Sequence, residues 1–167
     1  MQNSLVPRNV SSPDMSTLRY ARDAERFPHH GEQELDADHQ FIAMLDACRG
    51  CGGLARTHEV IALSRRCGGP DAATLASWIA ERKLISFEWQ SQSWLPLFQF
   101  NRLDMTPQPE LCQVLAELGA VYDACEMANW FVQPNPWLAD RTPADTLPLD
   151  FAAVLNAARA DRFVDNY

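Results

Sequence analysis

The chain has 167 residues, 47% of them hydrophobic, with a formal net charge of −8 and five cysteines. That is enough for one ordinary domain or two small subdomains sharing a core, and no run approaches the roughly 18 apolar residues of a membrane span. The charge is uneven: Met1 to Arg102 carries 11 basic and 12 acidic side chains, Leu103 to Tyr167 only 3 basic and 10 acidic. The acidic part repels phosphate backbones, so any nucleic-acid contact has to come from the earlier part.

The first residues, "MQNSLVPRNVSSPDMS", are polar, proline-spotted and aperiodic, which predicts a flexible or irregular segment over 1–31. No basic end followed by an apolar stretch marks a signal peptide. An odd number of thiols suits a reducing compartment, so the expected location is cytoplasmic.

A helical region over 32–102 comes next. Its first helix is expected from Glu32 to Arg49, with Leu35, Phe41, Ile42 and Leu45 as its apolar face, stopped by the glycines of "CRGCGG". A short helix follows over His58 to Arg66. "CGGP" breaks the chain, and Asp71 can cap a third helix with Leu75, Trp78 and Ile79 inward. In "LISFEWQ", Ile85, Phe87 and Trp89 alternate with polar residues, the period of a strand. "QSQS" can turn the chain back into "WLPLFQF". The expectation is one antiparallel hairpin, Leu84 to Trp89 with Trp94 to Phe100, in which Phe98 and Phe100 pack inward and Gln99 points the other way. The fold class is mainly α with this one hairpin, and the order of helices and hairpin is compatible with a winged helix-turn-helix.

The last region, 103–167, is acidic and helical. Thr106 and Pro107 suggest the start of a helix whose Leu111, Val114, Leu115 and Leu118 share a face. Another helix is expected near Val121 to Phe131, ending before "PNP". In "RTPAD", Thr142 is a cap, Pro143 the first helical residue and Asp145 the third. Asp150 can cap the final helix, with Phe151, Val154, Leu155, Ala158 and Phe163 on its buried side.

Cys48, Cys51, His58 and Cys67 are four potential zinc ligands within twenty residues. There is no second paired motif, so no metal is expected, and a redox C-x-x-C would be placed at the start of a helix rather than its end. Asp36 and His39 can share a helix face, as ordinary surface charges do. No nucleophile elbow, zinc-protease motif or phosphate loop is present, and nothing points to an enzyme or a cofactor. If the middle region reads DNA, Arg65, Arg66 and Arg82 are the expected phosphate contacts, and Thr74 and Ser77 approach base edges. Asp71 stands at the end that would enter the groove and works against that reading.

The stretch "EMANWFVQPNPWLADRTPADTL" resembles the toxin-binding domain of Xre/MbcA/ParS-type antitoxins. In that family a helix ends in tryptophan, an aromatic or asparagine precedes "L-x-G-x-x-P", and a helix opens on the proline. Trp130, Asn135, Trp137, Leu138, Thr142, Pro143 and Leu147 occupy the matching places, and "PLFQF" is similar to the end of the family's hairpin. The likeness covers about residues 68–163. Asp140 stands where the family has glycine, the Xre-type first half is missing, and the family's closing glycine is replaced by "AARADRFVDNY". The resemblance implies a cognate toxin partner of the NAD-consuming kind and binding to operator DNA. An alternative is a non-catalytic interaction protein of the same fold without DNA binding. Independently of the resemblance, the loop "PNPWLADRTP" is read as a rigid, partner-facing surface, with Trp137 as anchor and Asp140 and Asp145 as charged neighbours. Its partner is the toxin or a second copy of this chain.

Overall fold

The computed structural model describes the backbone over residues 30–165 and side chains over residues 37–164. The expected irregular segment, 1–31, and the packing of Leu35 lie outside the described residues, apart from the helical backbone of His30 and Gly31. The chain divides between Asp38 and His39 into two units, and the sheet, both apolar cores and the candidate site belong to the second.

Helix α1 (His30–Cys48) ends as the glycines require. After a 3-10 turn, Arg49–Cys51, the Gly53 N–H returns to the Cys48 carbonyl at 2.8 Å, with Gly52 left-handed at φ +110°. This is the bond that satisfies the last carbonyls of a helix stopped by glycine. The buried face of α1 is Phe41, Met44 and Cys48, spaced three and four apart. Ile42, expected on that face, is 54% exposed, because it lies one residue off the stripe.

A strand not expected from the sequence comes next: β1 (Leu54–Arg56), too short to display a period of its own. Helices α2 (Thr57–Arg66) and α3 (Ala72–Ala80) follow. Asp71 caps α3 by accepting from the Thr74 N–H at 2.8 Å. The turn between these helices needs its second glycine for space: a Cβ on Gly69 would lie 2.2 Å from the Asp104 carbonyl oxygen. Strands β2 (Phe87–Trp89) and β3 (Gln92–Pro96) form the hairpin, with Gln90 and Ser91 both at positive φ in its two-residue turn. β3 is central. β1 pairs with it at Ala55 and Leu95, and β2 at Glu88 and Ser93, both antiparallel. The expected strands reached further from the turn, to Leu84 and Phe100, whereas β3 begins two residues earlier than expected, at Gln92. A β1-α2-α3-β2-β3 order with β1 added at one edge of the sheet is a winged-helix-like arrangement.

Past Pro96 the chain leaves the sheet through a 3-10 turn, Leu97–Gln99. Here the expectation for Gln99 is corrected. Its side chain is fully buried, accepting from the Ile85 N–H at 2.8 Å and donating to the Ile85 carbonyl at 2.9 Å. The amide occupies the place a neighbouring strand residue would take. The helix expected from Thr106 begins later, as α4 (Leu111–Leu118). Thr106 hydrogen-bonds Asp104 instead, and Pro107 bridges back to Phe100. Helices α5 (Ala124–Val132), α6 (Pro143–Thr146) and α7 (Phe151–Asp165) complete the described chain.

Two apolar clusters result. The larger packs Leu111, Val114, Leu115 and Leu118 of α4 with Val154, Leu155 and Ala158 of α7, and includes Phe131, Phe98 and Ile85. The smaller lies in the winged half and holds Val60, Leu75, Leu84, Leu95 and Phe100. Phe163, expected in the core, is 65% exposed near the end of α7. Replacing Gln99 with leucine keeps the volume but orphans two buried backbone groups, so stability should fall by about 3 kcal/mol. Urea unfolding followed by tryptophan fluorescence measures it, with the midpoint moving and the slope unchanged.

Candidate functional site

Asn135 folds the loop between α5 and α6 around itself. It is buried, and its side-chain oxygen accepts from the Trp137 N–H at 2.9 Å. Its own carbonyl accepts from the Leu138 and Asp140 N–H groups at 2.9 and 3.1 Å, and its N–H donates to the Arg141 carbonyl at 3.1 Å. Pro136 fixes the first residue of the 3-10 turn Pro136–Leu138, and Leu138 is buried in the larger core. Ala139 and Asp140 then run left-handed, at φ +53° and +61°. Two such non-glycine residues in succession cost of order 1 kcal/mol each. Asp140 therefore takes a left-handed conformation that glycine would adopt without strain.

The loop presents Trp137, which is 63% exposed. Its ring is not loose, because the indole Nε1 donates to Asp161 Oδ1 on α7 at 3.1 Å. The other oxygen of the same carboxylate accepts from Trp130 Nε1 at 2.6 Å and from Asn135 Nδ2 at 3.3 Å. One carboxylate thus holds three N–H donors from α5 and the loop. Trp130 also meets Phe131 edge-on at 5.0 Å, which ties the arrangement to the core. A groove of about 310 Å³ beside it is lined by Tyr122, Glu126, Trp130, Gln133 and Pro134. Asp140 and Asp145 are exposed. Asp145 also works locally: its N–H donates to Thr142 Oγ1 at 3.2 Å and its carboxylate accepts from that hydroxyl at 2.7 Å, which starts α6.

The residues expected at DNA are spread differently. Arg65 and Arg66 are exposed in the last turn of α2 and form no ion pair among the described residues. Thr74 and Ser77 are exposed on α3, and Arg82 follows it at φ +56°. Acidic neighbours occupy two of these positions. Ser77 donates to Glu81 at 2.6 Å, and Glu81 also pairs with Lys83. Thr74 gives its N–H to Asp71, and this bond, reinforced by the Thr74 hydroxyl, holds the Asp71 carboxyl below its ordinary range. Helix α3 itself, "AATLASWIA", contains no basic residue.

Cys48 is buried at the end of α1, and Cys51 is half-buried. The Cys51 thiol donates to the Cys48 carbonyl at 3.3 Å. The hydrogen bond the two sulfurs share pushes the Cys48 thiol far above its usual range and draws that of Cys51 down. Cys67 is exposed. Among the described residues, no three His, Cys, Asp or Glu side chains are gathered so as to hold a metal ion, and no helix is long and apolar enough to cross a membrane.

Comparison with protein families, with curated proteins and with solved structures finds no match for the chain. The fold and the site define a winged-helix-like, mainly α protein with a fixed aromatic side chain displayed on an ordered loop. Asp161 was missed in the sequence. It lies 24 residues beyond Trp137 in a helix with other charges, and no local pattern separates it from them. Removing it should release both indoles. In an Asp161→Ala variant, the indole N–H resonances of Trp130 and Trp137 should shift upfield as their hydrogen bonds are lost, while those of Trp78, Trp89 and Trp94 stay in place. Stability should drop by about 2 kcal/mol.

Proposed function

We propose that this protein is an antitoxin-like regulator that acts by gripping a protein partner through the Trp137 loop. The observation that carries this reading is an exposed tryptophan whose ring is fixed by a carboxylate and whose backbone is fixed by Asn135. A large side chain already held in one orientation loses little entropy on docking, which is the property of a binding hot spot. Asp140 in the same loop and Asp145 in the first turn of α6 favour a basic surface on the partner and set the register. The resemblance of Trp130, Asn135, Trp137, Leu138, Thr142, Pro143 and Leu147 to the antitoxin pattern supports a toxin as that partner.

DNA binding is the second task such a regulator would have, and the exposed Arg65–Arg66 pair within a winged-helix-like unit favours it. A third helix without cations, ringed by Asp71 and Glu81, supports the alternative: an interaction protein of this fold that does not read DNA.

The partner reading is tested with the product of the neighbouring gene. Trp137→Ala and Asp140→Arg should each weaken binding roughly 30-fold, equivalent to about 2 kcal/mol. Unchanged affinity together with an unchanged light-scattering mass would overturn it, whereas a change of mass alone would identify a second copy of the chain as the partner. For DNA, a fragment of the protein's own promoter should bind weakly at low salt. Replacing Arg65 and Arg66 with alanine should lower the slope of log affinity against log salt by about two. No retardation of the fragment at low salt would leave the interaction protein as the better description.

A further inference from the structure

The partner-binding reading leaves the C-x-x-C pair without a task. We propose that Cys48 and Cys51 form a thiol–disulfide exchange site that reacts with low-molecular-weight disulfides of the glutathione type. This does not rest on the proposed function, since neither sulfur belongs to the Trp137 loop.

The backbone brings the two cysteines together. Cys48 closes α1 and Cys51 closes the 3-10 turn that follows. Side chains three apart eclipse in such a turn, roughly 6 Å along its axis. That separation falls within the Cα distances of about 4.4–6.8 Å that a disulfide spans. The Cys51 sulfur already lies 3.3 Å from the Cys48 carbonyl. Gly52 and Gly53 follow directly, both at positive φ, so the chain beyond the pair is held by residues able to absorb a change of backbone angle.

The two thiols differ in access, as an attacking and a resolving cysteine do. Cys51 lines a groove of about 810 Å³ between the 3-10 turns and the start of α7. Cys48 is fully buried behind it. The groove offers apolar contact from Leu97 and Phe98, and Arg102 is the one cation among its lining residues, placed to meet a carboxylate of a small peptide disulfide. Asp145 and Glu110 line it too and oppose a second negative charge.

In the exchange, Cys51 gives its proton to water and its thiolate attacks one sulfur of the small disulfide. That S–S bond breaks, one thiolate leaves and is protonated by water, and a mixed disulfide remains on Cys51. Cys48 then releases its proton to water and attacks the Cys51 sulfur, expelling the second small thiol. Two protein thiols are oxidised to one disulfide, one small disulfide is reduced to two thiols, and no other reactant is needed.

The full chain is incubated with oxidised glutathione, its remaining thiols are alkylated, and the protein is digested with trypsin. Trypsin cuts after Arg49, between the two cysteines, so the oxidised pair appears as two peptides joined by a disulfide. The joined species should exceed any glutathione adduct on Cys51 by roughly tenfold, because the resolving thiol lies within the same turn. In Cys51→Ser, Cys48 should remain free of glutathione. In Cys48→Ser, the adduct on Cys51 should persist. Adducts confined to the exposed Cys67 and Cys125, or a Cys51 adduct in the native chain that never resolves, would overturn the proposal. Should Cys48→Ser fail to fold, the native chain and Cys51→Ser still decide the matter.

Discussion

A peptide group cut off from water has to be paired, and at Ile85 the pairing is done by a side chain. Leu84 points into the smaller core and Ile85 into the larger, so the backbone between them crosses from one apolar cluster to the other. Among the described residues, no strand runs beside it at that point. Gln99 supplies both the acceptor and the donor that a strand would have supplied. In low dielectric these bonds matter most through what their absence would cost. The 3-10 turn that carries Gln99 also sends Phe98 into the larger core and Phe100 into the smaller one. A single short segment therefore joins the sheet to the helical half.

The tryptophan loop applies the same rule at the surface. Polar groups that a loop would normally give to water are gathered by Asn135 and Asp161, and Leu138 fastens the loop from beneath. The strain of Ala139 and Asp140 is held in place by this surrounding network. Backbone strain that persists in a well-bonded loop is a recurring mark of functional sites. Here it sits next to the exposed Trp137 of the same loop.

Much of this architecture was legible because its signals are local. Asp71 and Thr142 both stand where a capping residue has its acceptor within reach of the following N–H groups, and the helices begin there. The buried stripe of α4 follows its 3.6-residue period residue for residue. What escaped depends on contacts distant in sequence. β1 is three residues long and is a strand because β3 is beside it. Gln99 looks like the polar member of an alternating strand, and only the neighbouring Ile85 backbone explains its burial. Thr106 and Pro107 have the composition of a helix start, but the bridge from Pro107 to Phe100 holds that segment extended. In the site, the exposure of Trp137 was an inference from rigid, proline-bounded sequence. The carboxylate that orients it lies on another helix, and no spacing rule connects the two.

The order of strands in the sheet bears on how the chain assembles as it is synthesised. The central strand is the last of the three to emerge, so β1 has no edge to join while α2, α3 and β2 are being made. Leu95, buried in the smaller core, arrives with that same strand. The winged half therefore cannot close progressively from its first residue. It waits with an unpaired strand and an open apolar face until β3 inserts, and Gln99 follows only a few residues later to seal the peptide of Ile85. Late completion of this kind leaves a nascent chain exposed to misassociation for longer than a fold built from neighbouring contacts. The acidic carboxy-terminal region emerges after that moment, too late to keep the unfinished half apart from its neighbours by charge.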